Sequence, residues 1–219
     1  MLPPHLAILP APQRRLWAEL GEIPTDFVLY GGTALALRLG HRSSEDFDFF
    51  SNQAFRPDDL ERQIPFLEGT QRLQSSPNTL VSLADRSGPV KLSFFGGLTL
   101  KRVHEPEPVE GPGFRVASLL DLAATKVRVV QDRAEAKDYL DLGRLLEEGI
   151  ELAEALGAAR AVFGEAFNPL LSLKALSYFG DGDLRVLPES LRSRLSRAVE
   201  RVDSKRLPRF ESLPGGIAP

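Results

Sequence analysis

The chain has 219 residues, 42% of them hydrophobic and 26% charged, the make-up of a globular protein that can bury a substantial core. Its net charge of −3 and pI near 5.7 exclude a protein that holds nucleic acid through overall charge, so any such contact must come from a local patch. It has no cysteine for disulfides or thiolate metal sites. The opening Met1-Leu2-Pro3-Pro4 lacks the basic start and apolar run of a signal peptide, and no stretch reaches the roughly 20 apolar residues of a membrane span, so the expectation is a cytoplasmic protein without membrane contact.

In chain order, residues 6–20 read as a short helical lead-in interrupted by Pro10 and Pro12. Phe27-Val28-Leu29-Tyr30 is an apolar run that ends in Gly31-Gly32, the form of a buried strand. Residues 33–39 suit a helix that opens directly after the glycines and stops at Gly40 in a left-handed cap. Residues 46–50 read as the next strand, and the period of two places Asp46 and Asp48 on one face. A helix over 57–67 follows, then strands at 80–83 and 90–95 parted by Asp85-Arg86-Ser87-Gly88, with Gly96-Gly97 turning the chain into 98–103. The Pro- and Gly-rich connector 106–113 marks a shift to helical composition. Beyond it the pattern predicts helices over 118–133, 136–148, 151–163, 169–178 and 188–202, the first with a Ser118/Asp121 capping pattern.

The expected fold is therefore α+β, a mixed sheet flanked by helices and continued by a helical half. The corresponding boundaries are 1–110 for the α/β core, 111–211 for the helical half and 212–219 for a flexible tail.

Gly31-Gly32, thirteen intervening residues, then Asp46-Phe47-Asp48 form a constellation in which each part has a chemical reason. Glycines between strand and helix let backbone approach a phosphate, and the helix N-terminus offers free N–H groups and a dipole to an anion. Two carboxylates on the adjoining strand can hold Mg²⁺ together with substrate phosphates, the arrangement for in-line phosphoryl or nucleotidyl transfer. Gly-Gly alone is commonly a turn and Asp-x-Asp alone a solvated edge. Their joint occurrence, in order and in strand–Gly-Gly–helix–strand context, favours a site. Basic residues cluster along Lys91, Lys101, Arg102, Arg115, Lys126, Arg128, Arg133 and Lys137, where a solvated face is the plain alternative to a binding patch. Lys126 and Arg133, seven apart, would share a helical face and could hold triphosphate oxygens. Lys137, Asp138 and Asp141 would open the next helix, with a surface ion-pair network as their alternative reading. His5, His41 and His104 have no metal-ligand spacing.

Three blocks carry a resemblance: Gly31-Gly32-Thr33-Ala34-Leu35, then Arg42-x-Ser44-x-Asp46-Phe47-Asp48-Phe49, then Lys126, Arg133, Lys137-Asp138 and Asp141. Over residues 27–145 the chain resembles the AbiEii/AbiGii (MenT-like) toxins of the DNA polymerase β-type nucleotidyltransferase superfamily. The resemblance implies a Mg²⁺-dependent enzyme that transfers nucleotides from an NTP to RNA, with the 3′ end of tRNA as expected acceptor and a cognate antitoxin encoded nearby. It implies catalytic roles for Asp46, Asp48, Lys126, Asp138 and Asp141, metal binding by Asp46 and Asp48, and nucleotide binding by Gly31, Gly32, Thr33, Arg42, Ser44, Lys126, Arg133 and Lys137. The same core also serves small-molecule (antibiotic) nucleotidyltransferases and non-catalytic nucleotide- or RNA-binding relics. One departure stands out. Superfamily enzymes commonly carry a third carboxylate on a later strand, and the matching position on 90–95 is Ser93, a weak metal ligand.

Overall fold

The structure, a computed structural model, describes residues 1–218. The chain divides into two compact units. The first takes residues 1–101, 105–118 and the segment that starts at Pro214. The second takes 102–104 and 119–213. The first unit therefore runs to Ser118, eight residues past the boundary expected from composition. Ile217 and Ala218, assigned to a flexible tail, have no exposed surface, and the Ile217 carbonyl accepts a hydrogen bond from the Tyr30 hydroxyl.

The first unit holds one seven-stranded mixed sheet. Its strands are β1 (Val28–Tyr30), β2 (Phe47–Phe50), β3 (Gln71–Ser76), β4 (Thr79–Asp85), β5 (Pro89–Phe95), β6 (Glu107–Pro108) and β7 (Arg115–Val116), in the order β3-β4-β5-β2-β1-β7-β6. The pairs β1/β7 and β2/β5 are parallel and the rest antiparallel. Of the two central strands, β1 is buried at all three positions and β2 alternates between buried and half-buried. Phe47 and Phe49 of β2 are fully buried, and Phe49 stacks on Phe94 of β5 with ring centroids 5.5 Å apart. Burying three such rings removes enough apolar surface to supply several kcal/mol towards the unit's stability, on the order of 2 kcal/mol per ring.

Helices α1 (Ala11–Leu16), α2 (Gly31–Leu39) and α3 (Pro57–Gln63) complete this unit. The lead-in is interrupted as its prolines predict: a 3₁₀ turn ends before Pro10, α1 starts directly after it, and a second 3₁₀ turn follows α1. Helix α2 follows β1 with no loop. It buries Ala34, Leu35, Ala36 and Leu37, and Gly40 ends it at φ +61 as the left-handed cap expected there. Arg38 ties its last turn to the sheet edge. Its guanidinium donates to the carbonyls of Ala117 (2.8 Å) and Val116 (3.1 Å) and pairs with Glu107.

Three strands escaped the sequence. β3 is exposed at every position and shows no alternation, while β6 and β7 are two residues each.

The second unit contains α4 (Leu119–Val129), α5 (Ala136–Glu147), α6 (Leu152–Phe163), α7 (Pro169–Leu176) and α8 (Glu189–Glu200), close to the predicted helices. The clear difference is α4, which stops at Val129, so Arg133 lies in the following turn and not on the helix. Asp121 is buried in this unit and accepts from the backbone N–H groups of Val103 (2.8 Å) and His104 (3.1 Å). That anchor explains why three residues of the connector belong with the helices.

Candidate active site

In the first unit β1 and β2 pair so that Tyr30 lies opposite Asp48, and Gly31 is the first residue of α2. Gly31 has φ +74, and a Cβ built there would stand 2.8 Å from Oδ2 of Asp48. Only glycine fits: a side chain would be strained in its backbone and would push the carboxylate aside. A Cβ on Gly32 would meet the guanidinium of Arg42, with Ser44 Oγ 3.5 Å away. The two glycines thus form the floor over which Arg42, Ser44 and Asp48 come together. No side chain caps the first turn of α2, so its leading N–H groups face this floor as an anion-binding end.

The loop that carries Arg42, Ser44 and Asp46 is pinned from several sides. Thr33 Oγ1 bonds Ser44 Oγ (2.7 Å) and the Asp46 carbonyl. Ser43 Oγ donates to the Ile8 carbonyl (3.0 Å), and Gln13 donates to the Glu45 carbonyl (2.9 Å). Thr33 is buried, so its place here is to fix the loop's register from beneath. Arg42 donates to the Ser43 carbonyl at 3.0 Å.

Asp48 sits within β2, while Asp46 lies one residue ahead of the strand; both are half-buried and two residues apart, as a shared face requires. Across the parallel pair, Asp48 is the register partner of Ser93, which is buried. Two residues earlier on β5, Lys91 places Nζ 3.3 Å from Oδ2 of Asp46. Lys91 was read from sequence only as one cation in a basic run, and the strand register is what brings it to the carboxylates.

Among the described residues no cluster of three or more His, Cys, Asp or Glu forms a metal cage. Two carboxylates beside an uncapped helix N-terminus nevertheless fit Mg²⁺, which is held through one or two carboxylates with waters and substrate phosphates. Asp46 and Asp48 are the residues that would hold it, and the cradle at Gly31 keeps the approach to Asp48 clear.

The remaining expected site residues lie in the helical unit. Lys126 of α4 is buried, and its ammonium is 2.6 Å from both Asp138 and Asp141 of α5, neither of which has exposed side-chain surface. Arg133 also reaches Asp138, at 2.8 Å, and Lys137 pairs with Glu135 at 2.8 Å. Lys126 and Arg133 are therefore brought together by a common carboxylate and not by a shared helix face. The alternative of a surface ion-pair network is also superseded, since the carboxylates are interior. Burial alone would raise the Asp138 pKa, but the Arg133 hydrogen bond and the Lys126 charge together hold it below the ordinary carboxylate value. Next to it, Tyr139 is pushed up to about 12 by burial and by the Asp138 charge.

Residues 15–213 match the model of the nucleotidyl transferase AbiEii toxin family, a type IV toxin–antitoxin system. An uncharacterized protein of Aquifex aeolicus (strain VF5) is 34% identical over 162 residues, covering 73% of this chain and 76% of that one. Among solved structures, a nucleotidyltransferase from H. pylori, itself assigned only provisionally, superposes with a TM-score of 0.59 at 19% identity, covering 86% of this chain and 92% of the other. MenT4, a nucleotidyltransferase toxin of Mycobacterium tuberculosis H37Rv, gives 0.57 at 15% identity, covering 90% and 87%. At such identities the structures show a shared fold.

Proposed function

The chain belongs to the AbiEii family of nucleotidyl transferase toxins, and on that premise we propose that it transfers a nucleotide from an NTP to RNA, with a tRNA 3′ end as acceptor and Mg²⁺ as the metal. The observation that carries the reading is the juxtaposition of Asp46 and Asp48 with the α2 N-terminus at Gly31. That end of α2 receives triphosphate oxygens, and Arg42, poised over Gly32, adds a planar cation suited to phosphate. Asp46 and Asp48 would hold the metal, which would supply Lewis-acid stabilisation of charge on the transferred phosphoryl group. Thr33 and Ser44 hold the loop so that Asp46 keeps its place as charge moves. The partner proposed with this activity is the antitoxin that a type IV system pairs with its toxin.

The catalytic roles of Lys126, Asp138 and Asp141, and the nucleotide-binding roles of Arg133 and Lys137, form part of the same proposal. Loss of transfer in Lys126→Ala would report folding as well as chemistry, because two interior carboxylates lose their counter-charge. Lys126→Arg keeps that charge and separates the two effects.

A second reading, nucleotide binding without transfer, draws on Ser93: the strand beside Asp48 offers a hydroxyl where a carboxylate would complete a two-metal site. One experiment decides between them. The chain is incubated with labelled NTPs, Mg²⁺ and total tRNA, alongside Asp46→Asn and Asp48→Asn. Label in RNA that disappears in both variants supports transfer; NTP binding with no label in RNA under any NTP supports the second reading; full activity in either variant removes the site from consideration.

A further inference from the structure

An acidic protein that acts on RNA needs a local cationic surface, and the structure relocates it. The basic run legible in the sequence is largely neutralised. Lys91 is held by Asp46, Lys126 by two carboxylates, Arg128 by Asp132 at 2.6 Å, and Arg133 and Lys137 by Asp138 and Glu135. The residues 185–209 are different. Eight of these 25 are Lys or Arg and three are acidic, a local excess of five positive charges in a chain of net charge −3, which leaves the remainder at −8.

Much of this charge is uncommitted. Arg194 of α8 pairs with Glu147, but Arg197 of α8 and Arg201, the residue at its C-cap, are exposed and have no carboxylate within 4.0 Å among the described residues. Lys205 and Arg209 continue the exposed series beyond the helix, likewise without an ion pair. Leu191 and Leu195 are buried and anchor α8 along one stripe, while Arg197 and Arg201 stand exposed beside it. Positions 194, 197 and 201 fall within about 60° of one another around a helix of 3.6 residues per turn. They line a cavity of about 640 Å³ together with Leu146, Ile150 and Val202. Glu151, the one acid on its wall, is engaged in the capping box of α6.

We propose that this arginine face of α8 is a docking surface for the phosphate backbone of RNA; the proposal rests on the reading of the protein as an RNA-modifying transferase. Guanidinium forks match phosphate oxygens in pairs, and a row of them on one rigid helix tracks a strand and not a single anion. An acidic peptide would find the same charge, but a row made only of arginines, whose planar forks match pairs of phosphate oxygens, favours nucleic acid.

The test is fluorescence polarisation of labelled unfractionated tRNA with the full-length chain, from 50 to 200 mM salt, without NTP. The wild type should bind with a steep salt dependence. The double variant Arg197→Glu/Arg201→Glu should lose at least about tenfold in affinity at 50 mM salt and shed about two from the log–log salt slope, one per phosphate contact. Both residues are exposed and unpaired, so its thermal unfolding and its NTP binding should match the wild type. Wild-type affinity and slope in the variant would overturn this docking surface while leaving the RNA reading intact. Failure of the wild type to bind any tRNA would overturn both. Equal displacement of the tRNA by polyglutamate at matched charge would show a surface for acidic polypeptide instead, and would also overturn the proposal.

Discussion

Replacing Lys126 by methionine keeps most of the side-chain volume and deletes one charge from an interior cluster. The ammonium stands 2.6 Å from each of two carboxylates that have no exposed side-chain surface. Removing one partner of a buried ion pair costs about 3–5 kcal/mol, because the surviving charge is left without compensation. Arg133 still bonds Asp138, so the loss should lie near the lower end, about 3 kcal/mol. For a chain of this length that lowers Tm by about 6–12 °C. The pH dependence gives the mechanism its signature. The Asp138 pKa is depressed in the folded wild type, so the stability it contributes is complete above the unfolded value of about 3.9 and is lost as pH falls through the folded value. Without Lys126 the buried carboxylates protonate at higher pH, so the deficit of the variant should be largest at pH 7 and shrink towards pH 5. Adding Asp138→Asn to Lys126→Met should recover part of the loss, since it removes one of the two buried negative charges that Lys126 balanced. Thermal unfolding followed by circular dichroism at both pH values checks this. A fall of less than about 2 °C at pH 7, or an equal fall at pH 5, would refute the claim that the cluster is an interior electrostatic unit.

The remaining expectations concern the strand site and its surroundings. Gly31→Ala should cost about 1–2 kcal/mol from the left-handed backbone and should also displace Asp48, so NTP affinity by calorimetry drops together with Tm; an unchanged affinity would place the cradle elsewhere. Gly32→Ala meets only the flexible end of Arg42, so it should leave Tm within about 2 °C while weakening NTP binding. Ser93→Asp combined with Lys91→Ala should add a second, weaker Mn²⁺ site by electron paramagnetic resonance, because it sets a third carboxylate in register with Asp48 and removes the cation beside Asp46; stoichiometry held at one would argue against the register's role in metal number. Tyr139, neutral and raised to about 12, should contribute stability that is complete below the unfolded value of about 10 and declines as pH rises towards 12, and the difference in ultraviolet titration between the wild type and Tyr139→Phe should show a phenol ionising near 12.

Several features were legible because they are decided within a few residues of sequence. Gly31-Gly32 after an apolar tetrapeptide specifies strand, tight turn and helix start, since only glycine takes φ +74 there without strain. Gly40 ends α2 for the same reason, and the alternation of Phe47, Asp48 and Phe49 sets which face is buried. The helices of the second unit follow from apolar spacing, and the AbiEii likeness rests on side chains that lie close along the chain.

What only the tertiary structure decided is pairing over distance. β3 has no exposed–buried alternation and exists because β4 offers it an edge; β6 and β7 are too short to leave any periodic trace. The sheet order that sets Ser93 against Asp48 and Lys91 against Asp46 depends on register between strands more than forty residues apart, which no local pattern encodes. The fate of each cation is the sharpest case. Lys126 and Arg197 are both helical and both basic, yet the first is enclosed by two interior carboxylates and the second stands exposed without an ion pair. Sequence counts charges, whereas Coulomb energy depends on separation and on the surrounding dielectric, and both are set only when the chain has folded.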